Sequence, residues 1–204
     1  GQGYYFSRPV PVTEFVKYLE EAHKQHLDTA PTESRKAFRV GLPTDYGLSY
    51  LNSRLAEFRQ VHTEVPLRIR CDLSAQLLES LVLGELDTVV AIAHEANEDQ
   101  LTAAWEVKPI WVASLDLTLD DGEAVPLIVH PEGCEYRKRM VESLNAAGRA
   151  WYVSYQSPDL ASLQEAVVNG VGVSVLTRLT LDERMRILDV DQGFPALGNI
   201  KIGL

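Results

Sequence analysis

The chain has 204 residues, of which 46% are hydrophobic and 24% are charged, and its formal net charge is −10. This composition is typical of a globular protein with one or two domains, and it excludes a disordered tail, a collagen-like fibre and a disulfide scaffold. So acidic a chain should bind duplex DNA poorly by itself, because that affinity comes mainly from Lys and Arg against phosphates. No apolar run approaches the roughly 18 residues that a membrane span requires, and we predict no secretion signal.

The two cysteines, Cys71 and Cys134, lie far apart in the sequence and have no metal-type spacing. One disulfide is arithmetically possible, but two reduced cysteines in a cytosolic protein are the favoured prediction. Cys71 ends a predicted strand and is expected to be buried. For Cys134 a packing role is favoured over a redox role, because nothing beside it fixes a low thiol pKa.

The first predicted element is a helix over residues 13–27, which follows an extended or turn segment containing two prolines. Thr13 suits the N-cap, and apolar residues follow it at helical spacing. A polar stretch that contains Pro31, residues 29–36, is predicted to be a linker. The helix has an apolar stripe with no lobe of its own to cover, so we expect a partner copy to bury that stripe.

Strands and helices alternate after this linker. Strands are predicted over residues 38–42, 66–71 and 88–92, and the last of them should be buried on both faces because it is apolar throughout. Helices are predicted to begin at residues 43–45 and at Ser74, which would be a cap. This order implies right-handed crossovers and a parallel sheet with helices on both faces.

A similar series recurs in the second half of the chain. Strands over residues 126–129, 150–155 and 172–176 alternate with helices over residues 135–147 and 160–169. Each of these helices is followed by a glycine, which is a common way for a helix to end.

The predicted fold class is therefore α/β, with two Rossmann-like lobes, a cleft between them and a linker helix in front. Residues 1–36 precede the lobes, residues 37–114 and 193–204 form the first lobe, and residues 115–192 form the second. The strand over residues 108–113 leads out of the first lobe. Ligands in open α/β sheets bind beyond the carboxyl ends of the strands, so a cleft between two such lobes can close on a small molecule.

Three candidate site residues follow strands of the first lobe. Thr44 and Asp45 come directly after the first strand, and for both the alternative to a ligand contact is simple N-capping. For Asp45 the cap is favoured, and its carboxylate would repel an anionic effector and suit a cationic or neutral one. Ser74 follows the second strand, where its hydroxyl and the helix N-terminus could bind a carboxylate while the residue also serves as a cap.

Five further candidates lie in the second lobe. His130 ends a strand and could donate to an effector or titrate near neutral pH, although a lone histidine is more often structural. Tyr136 and Arg137 could supply a phenol and a guanidinium to the pocket, although for Arg137 a solvated basic face is the favoured explanation. Tyr155 and Ser157 end the next strand, where either Ser157 as a cap or Pro158 as the first helical residue would start the following helix. The last candidate is the polar residue that closes the third strand, Thr177.

The order of several motifs carries a family resemblance. The strand FRVGLP (38–43) is followed by a helix and strand closing on a Ser (55–74). A leucine-rich helix with Gly-x-Leu-Asp and an apolar strand comes next (77–92), and a helix with a Gly-x-Gly strand comes later (161–181). From Phe38 onward the chain resembles the effector-binding domain of LysR-type transcriptional regulators. The stretch HPEGCEYR (130–137) is similar to the branch that includes the LrhA and HexA repressors.

The resemblance implies a type 2 periplasmic-binding-protein-like fold that binds a small effector in the interlobe cleft to control transcription, in a cytoplasmic regulator. It implies a homodimer or higher oligomer, with Leu48, Leu51 and Leu55 of one copy against the helix over residues 160–169 of the other. Residues 6–13 are similar to the end of the wing that precedes the family's linker helix. The helix-turn-helix that contacts DNA would lie outside these 204 residues, and we expect the chain to be part of a longer protein.

Two other functions compete with this interpretation. A solute-binding protein of a transport system shares the two lobes, but a secretion signal and a longer chain would be expected of it. An enzyme on a similar fold is disfavoured because the sequence has no GxSxG, P-loop, HExxH or Cys/His metal set. We therefore predict no catalytic residues, no metal and no cofactor.

Overall fold

The computed structural model describes residues 12–29, 37–44, 49–63, 66–92, 103–120 and 122–204. The chain divides into two compact units, with boundaries after Val107 and before Ile200. The first unit takes in the chain up to Val107, apart from a short stretch that begins at Thr44, and also residues 200–204. The second takes in Thr44 and residues 108–199.

The described part of the first unit contains three helices and six strands. The helices are α1 (Val12–Thr29), α2 (Ser49–Val61) and α3 (Ser74–Val82). The strands are β1 (Phe38–Pro43), β2 (Leu67–Asp72), β3 (Thr88–Val89), β4 (Ala91–Ile92), β5 (Ala104–Val107) and β11 (Ile200–Gly203). Strands β2, β1 and β3 are parallel in that order, and α2 and α3 are the crossovers between them, as the alternation in the sequence predicts. Strands β4, β11 and β5 form an antiparallel group.

The described part of the second unit contains two α-helices and five strands. The helices are α4 (Glu135–Ala146) and α5 (Leu160–Val168). The strands are β6 (Ile110–Ser114), β7 (Val125–Val129), β8 (Trp151–Gln156), β9 (Ser174–Leu176) and β10 (Met185–Leu188). Strands β7 and β8 are parallel, and a parallel bridge between Leu127 and Val173 joins β7 to the start of β9. Strand β6 is antiparallel to both β9 and β10.

Each unit has its own apolar core. In the first unit, α3 packs against the segment that leads into β3 and β4. The buried residues of this cluster are Leu77, Leu86, Val89 and Ala91. In the second unit, α5 packs on the sheet through Leu163, Ala166 and Val167, and the facing residues include Val112 and Ile128. The stretch Thr88–Ile92 is buried throughout, as its unbroken apolar sequence predicts. These cores hold the carboxyl ends of the parallel strands in place, where the candidate residues lie.

Several sequence predictions are corrected by the fold. Pro43 and Thr44 do not start the helix after β1, because Pro43 is still paired with Asp72 in the parallel ladder and Thr44 lies in a turn, while α2 spans Ser49–Val61. The segment 108–114 was assigned to the first lobe, whereas β6 pairs with β9 and β10 of the second unit. Cys71 is exposed because β2 lies at the edge of its sheet, and both cysteines are free thiols.

The apolar stripe of α1 is also covered differently from the prediction. Its residues Phe15, Leu19, His23 and His26 are buried by the chain itself, within the first unit. A second copy is therefore not needed to cover this stripe. Leu55, expected at a dimer contact, is only 3% exposed and belongs to the core. Leu48 and the side chain of Leu51 lie outside the described residues.

No helix in the described residues is long and apolar enough to cross a bilayer. Those residues also contain no group of three or more His, Cys, Asp or Glu side chains that could hold a metal ion.

Candidate functional site

The candidates Thr44 and Ser74 lie where parallel strands of the first unit end, although Thr44 itself is grouped with the second unit. Thr44 is half-buried in the turn after β1, and Asp45 lies outside the described residues. Ser74 follows β2 as the first residue of α3 and is buried. The parallel register of β1 and β2 brings Pro43 beside Asp72, so Thr44 and Ser74 both follow the same edge of the sheet.

The Ser74 hydroxyl has a different partner from the one predicted. It is not a helix cap: the N-cap position is Leu73, which makes no side-chain cap bond. Instead, Ser74 Oγ accepts a hydrogen bond of 3.2 Å from the backbone N–H of Ile92, the last residue of β4. This bond ties the start of α3 to the end of the apolar stretch, and the hydroxyl proton can still be donated to a ligand.

His130 and Ser157 lie side by side in the second unit. The register of β7 and β8 pairs Val129 with Gln156, and each candidate is the next residue along its strand. The Ser157 backbone N–H donates to the Val129 carbonyl at 3.1 Å, which fixes this junction.

His130 is a buried histidine whose Nδ1 has no hydrogen-bond partner among the described residues. Burial lowers its pKa from the usual 6.5 to about 4, because desolvation disfavours the imidazolium and the nearby Asp159 offsets this only in part. The ring is therefore neutral at physiological pH and does not act as a switch there. Its buried neutral nitrogen can exchange a hydrogen bond with a ligand without a change of charge.

The N-terminus of α5 is capped by Asp159, not by Ser157 or by Pro158 as the first helical residue. Asp159 Oδ2 accepts from the Ser162 N–H at 2.8 Å and from the Ser162 hydroxyl at 2.7 Å. These bonds from Ser162 lower the pKa of the exposed Asp159 carboxyl, so it is charged at neutral pH. Ser157 Oγ accepts from the Asp159 N–H at 3.1 Å, which leaves its proton available as a donor.

The remaining candidates of the second unit do not share one position. Tyr136 is buried within α4. Tyr155 is 37% exposed and lines a groove of about 450 Å³ against α5, together with Asp159 and Asn169. Thr177 is buried after β9, where it forms a reciprocal cap with Thr180 at the start of the short 3-10 helix Arg178–Thr180. The structure thus brings His130 and Ser157 together, whereas Tyr136 is buried in a helix and Tyr155 faces a separate groove.

Arg137 is a candidate for which the sequence interpretation favoured the wrong alternative. Its side chain is not part of a solvated basic face: Nη1 donates to Gln156 Oε1 at 2.9 Å and to the His130 carbonyl at 3.3 Å. The guanidinium therefore clamps the ends of β7 and β8 beside His130. The signal in the sequence is that Arg137 lies in the first turn of α4, where a side chain that points toward the helix N-terminus can reach back to the strand end.

Polar side chains lie at the carboxyl ends of parallel strands in each of the two α/β units, which is where open α/β sheets bind their ligands. The family model of the LysR substrate binding domain matches residues 31–197, and the chain belongs to this family, whose regulatory domains have the two-lobe periplasmic-binding-protein-like fold.

Two curated relatives are transcriptional regulators. The HTH-type transcriptional regulator PecT of Dickeya dadantii is 26% identical over 159 residues, which cover 78% of this chain and 50% of PecT. The HTH-type transcriptional regulator DgdR of Burkholderia cepacia is 23% identical over 189 residues, which cover 92% of this chain and 64% of DgdR. The chain thus spans between half and just under two thirds of the length of these relatives.

Solved structures of regulatory domains have the same fold. The bromide-bound regulatory domain of HypT from Salmonella typhimurium matches with a TM-score of 0.65 at 15% identity, covering 83% of this chain and 86% of that one. The regulatory domain of CcmR from Synechocystis in complex with 2-PG matches with a TM-score of 0.62 at 18% identity, covering 82% and 86%. At such low identities the likeness concerns the fold alone.

Proposed function

We propose that the chain is the ligand-sensing regulatory domain of a LysR-type transcription regulator, which binds a small effector to control transcription. The observation that carries this proposal is the family match over residues 31–197. The curated relatives, both named as HTH-type transcriptional regulators, support it.

The proposed effector-binding residues are polar side chains at the ends of parallel strands, and each unit contributes its own. Ser74 in the first unit and Ser157 in the second are the principal ones, because each follows a parallel strand and each hydroxyl accepts a backbone N–H while keeping a proton to donate. Thr44, His130 and Arg137 are proposed as further contacts. Hydroxyls already held by a backbone bond lose little freedom on binding, which favours specific recognition.

The charges at these strand ends favour a neutral or cationic effector. The Asp159 carboxylate is exposed, and its lowered pKa keeps it charged at neutral pH. His130 is uncharged there, and the guanidinium of Arg137 is already held by Gln156 and Glu132. Among the described residues at this junction, an anion would therefore meet the Asp159 carboxylate without a free cation beside it.

The first prediction is that Ser74→Ala and Ser157→Ala each weaken effector binding. A thermal-shift screen of the 204-residue chain against amines, amino acids, sugars and carboxylates would identify a ligand, because binding to the folded form raises the melting temperature. Loss of one buried hydrogen bond should reduce affinity roughly ten- to hundredfold, measured by calorimetric titration with that ligand.

Matched serines provide controls for this experiment. Ser80→Ala removes another buried hydroxyl of α3, and Ser154→Ala removes another hydroxyl of β8. Each control loses a hydrogen bond but lies away from the strand end, so binding should be retained. Unchanged affinity in both Ser74→Ala and Ser157→Ala, with the protein folded, would place the ligand elsewhere.

The second prediction is a homodimer whose interface includes the exposed edge strands β2 and β8. Strands β2 and β8 are edge strands, and they present apolar side chains such as Ile69 (46% exposed) and Tyr152 (52% exposed). Glutamate at either position should raise the dimer dissociation constant at least about tenfold, because a charge would be buried in the interface. Sedimentation at tens of micromolar measures this, with Val82→Glu at the exposed end of α3 as the control of equal charge. A wild-type chain that is monomeric at that concentration would contradict the dimer.

Three finer parts complete the proposal. Contact with DNA would be made by a helix-turn-helix outside these 204 residues, since a net charge of −10 opposes DNA binding by the domain itself. The regulator would act in the cytoplasm, where its DNA is. The HPEGCEYR motif supports a place in the branch that includes LrhA and HexA.

A further inference from the structure

A buried imidazole nitrogen without a partner lies at the junction where β7 and β8 end. His130 is 6% exposed, and its Nδ1 atom makes no hydrogen bond within the described residues. A buried polar atom is costly to leave unpaired, so this atom marks a position where a ligand group can bind. The register that pairs Val129 with Gln156 puts Ser157 directly beside this histidine.

Two neighbours of His130 supply hydrogen-bond acceptors. Ser157 Oγ accepts from the Asp159 N–H at 3.1 Å and keeps a second lone pair. The exposed Asp159 carboxylate lies close enough to His130 to act on its charge. Because burial keeps the imidazole neutral, its Nδ1 can be the bare nitrogen, which accepts a hydrogen bond as well. The junction therefore offers an imidazole nitrogen, a hydroxyl and a carboxylate to the donors of a ligand.

The N-terminus of α5 does not provide an anion site at this junction. A helix N-terminus usually attracts anions through its free backbone N–H groups. Here the Asp159 carboxylate already accepts from the Ser162 N–H at 2.8 Å, and it bonds the backbone of Ala161 as well. The negative charge that this helix end favours is thus already present in the chain, and it is available to a cation from the solvent side.

One cation lies near the junction, and it is engaged by other partners. Arg137 Nη1 donates to Gln156 Oε1 at 2.9 Å and to the His130 carbonyl at 3.3 Å, and its Nη2 lies 3.5 Å from Glu132 Oε1. The carboxylates of Glu132 and Asp159 together outnumber this guanidinium. The described charges of the junction therefore favour a bound cation over a bound anion.

We propose that His130, Ser157 and Asp159 form a subsite for a primary ammonium group of the effector. The three N–H donors of such a group match the imidazole nitrogen, the hydroxyl and the carboxylate, with one acceptor for each donor. The effector is therefore a primary amine, and the rest of its structure binds outside this subsite. This inference rests on the proposed function, and it narrows the effector from a neutral or cationic molecule to one that carries an ammonium group.

The test uses three probes of equal chain length, n-butylammonium, n-butanol and butyrate, added to the 204-residue chain near neutral pH. Long-range proton–nitrogen NMR of the histidine rings reports on Nδ1, and His130→Gln identifies the signal of His130. n-Butylammonium should move this signal upfield and saturate it, with a dissociation constant of about 1 to 10 mM for so small an ion. n-Butanol should bind at least about tenfold more weakly, and butyrate should not move the signal.

Asp159→Asn removes the charge of the subsite but keeps a side chain that can cap α5. It should weaken n-butylammonium binding roughly tenfold, because a charge-assisted hydrogen bond becomes a neutral one. Asp189→Asn is the matched control, since Asp189 caps the short helix Val190–Gln192 of the second unit and accepts from the Asp191 N–H at 3.1 Å. This control should bind n-butylammonium as the wild type does.

The proposal is overturned if n-butanol or butyrate binds as tightly as n-butylammonium, or if no probe moves the His130 signal up to about 100 mM. It is equally overturned if Asp159→Asn binds n-butylammonium no more weakly than Asp189→Asn. If a variant does not fold, the comparison of the three probes on the wild type still decides. Such a failure leaves the proposed function standing, because an effector without an ammonium group would still lose affinity in Ser74→Ala and Ser157→Ala.

Discussion

Alanine in place of Gly172 should destabilise the second unit by about 3 kcal/mol, because a side chain there would overpack a rigid part of the sheet. A Cβ at this position would lie 2.4 Å from the Pro126 carbonyl oxygen and 2.9 Å from Ser154 Oγ. The carbonyl cannot withdraw easily, because it accepts from the Val173 N–H at 2.8 Å. The strand therefore has to shift or the bridge between β7 and β9 has to break.

Gly198→Ala is a suitable control for this experiment. Its new Cβ would meet only the far end of the Arg139 side chain, at 2.9 Å from Nη1, which can move aside. Urea unfolding should give a large fall in midpoint for Gly172→Ala and a change within about 0.5 kcal/mol for Gly198→Ala. Equal midpoints for the two variants would contradict this prediction, because they would show that the sheet accommodates a Cβ at Gly172 without a large loss of stability.

The effect of Gly172→Ala should extend to the candidate site. Gly172 lies beside the Leu127–Val173 bridge, which joins β7, the strand that ends before His130, to β9, the strand that ends before Thr177. A shift of this segment would displace the ends of both strands. Reduced effector binding by any folded fraction of the variant is therefore expected, whereas Gly198→Ala should bind as the wild type does.

The central parallel strands could be predicted from the sequence, whereas the antiparallel strands could not. The stretch Thr88–Ile92 is apolar throughout, which indicates a buried strand without knowledge of its neighbours. By contrast, β5 has four residues, and its partner β11 lies almost a hundred residues further along the chain. Nothing local in such short segments distinguishes a strand from a loop. The parallel order was confirmed for β2, β1 and β3, and the antiparallel strand groups in both units were missed.

The positions of the candidate site residues were predictable, but their partners were not. Ser74 and Ser157 follow strands, as the alternation of strands and helices indicates. Three successive residues could start α5, and only the geometry shows that Asp159 is the cap while Ser157 accepts from its N–H. The burial of the apolar stripe of α1 within the first unit was missed for a related reason. Asp87, which contacts His26 of α1, lies some sixty residues away from it in the sequence. Pairing over such distances follows from topology and not from local pattern.

His130 should make the protein lose stability as the pH falls from about 6.5 to about 4. Burial holds its pKa in the folded state at about 4, against the usual 6.5. Within this window the unfolded chain binds a proton at His130 and the folded chain does not, so acidification favours unfolding. The full effect is about 3 kcal/mol, since each unit of pKa difference corresponds to about 1.4 kcal/mol.

This effect can be isolated with one substitution. His130→Gln keeps a polar side chain but cannot take up the proton, so the contribution of His130 to the pH dependence should vanish. The free energy of unfolding in urea, measured at several values between pH 7 and pH 4, should therefore fall less steeply for His130→Gln than for the wild type. Ser157→Ala, which changes the neighbouring strand end without removing a titratable group, should keep the steeper fall. Parallel curves for the wild type and His130→Gln would mean that the imidazole is protonated in the folded protein and that its environment is wetter than its burial suggests.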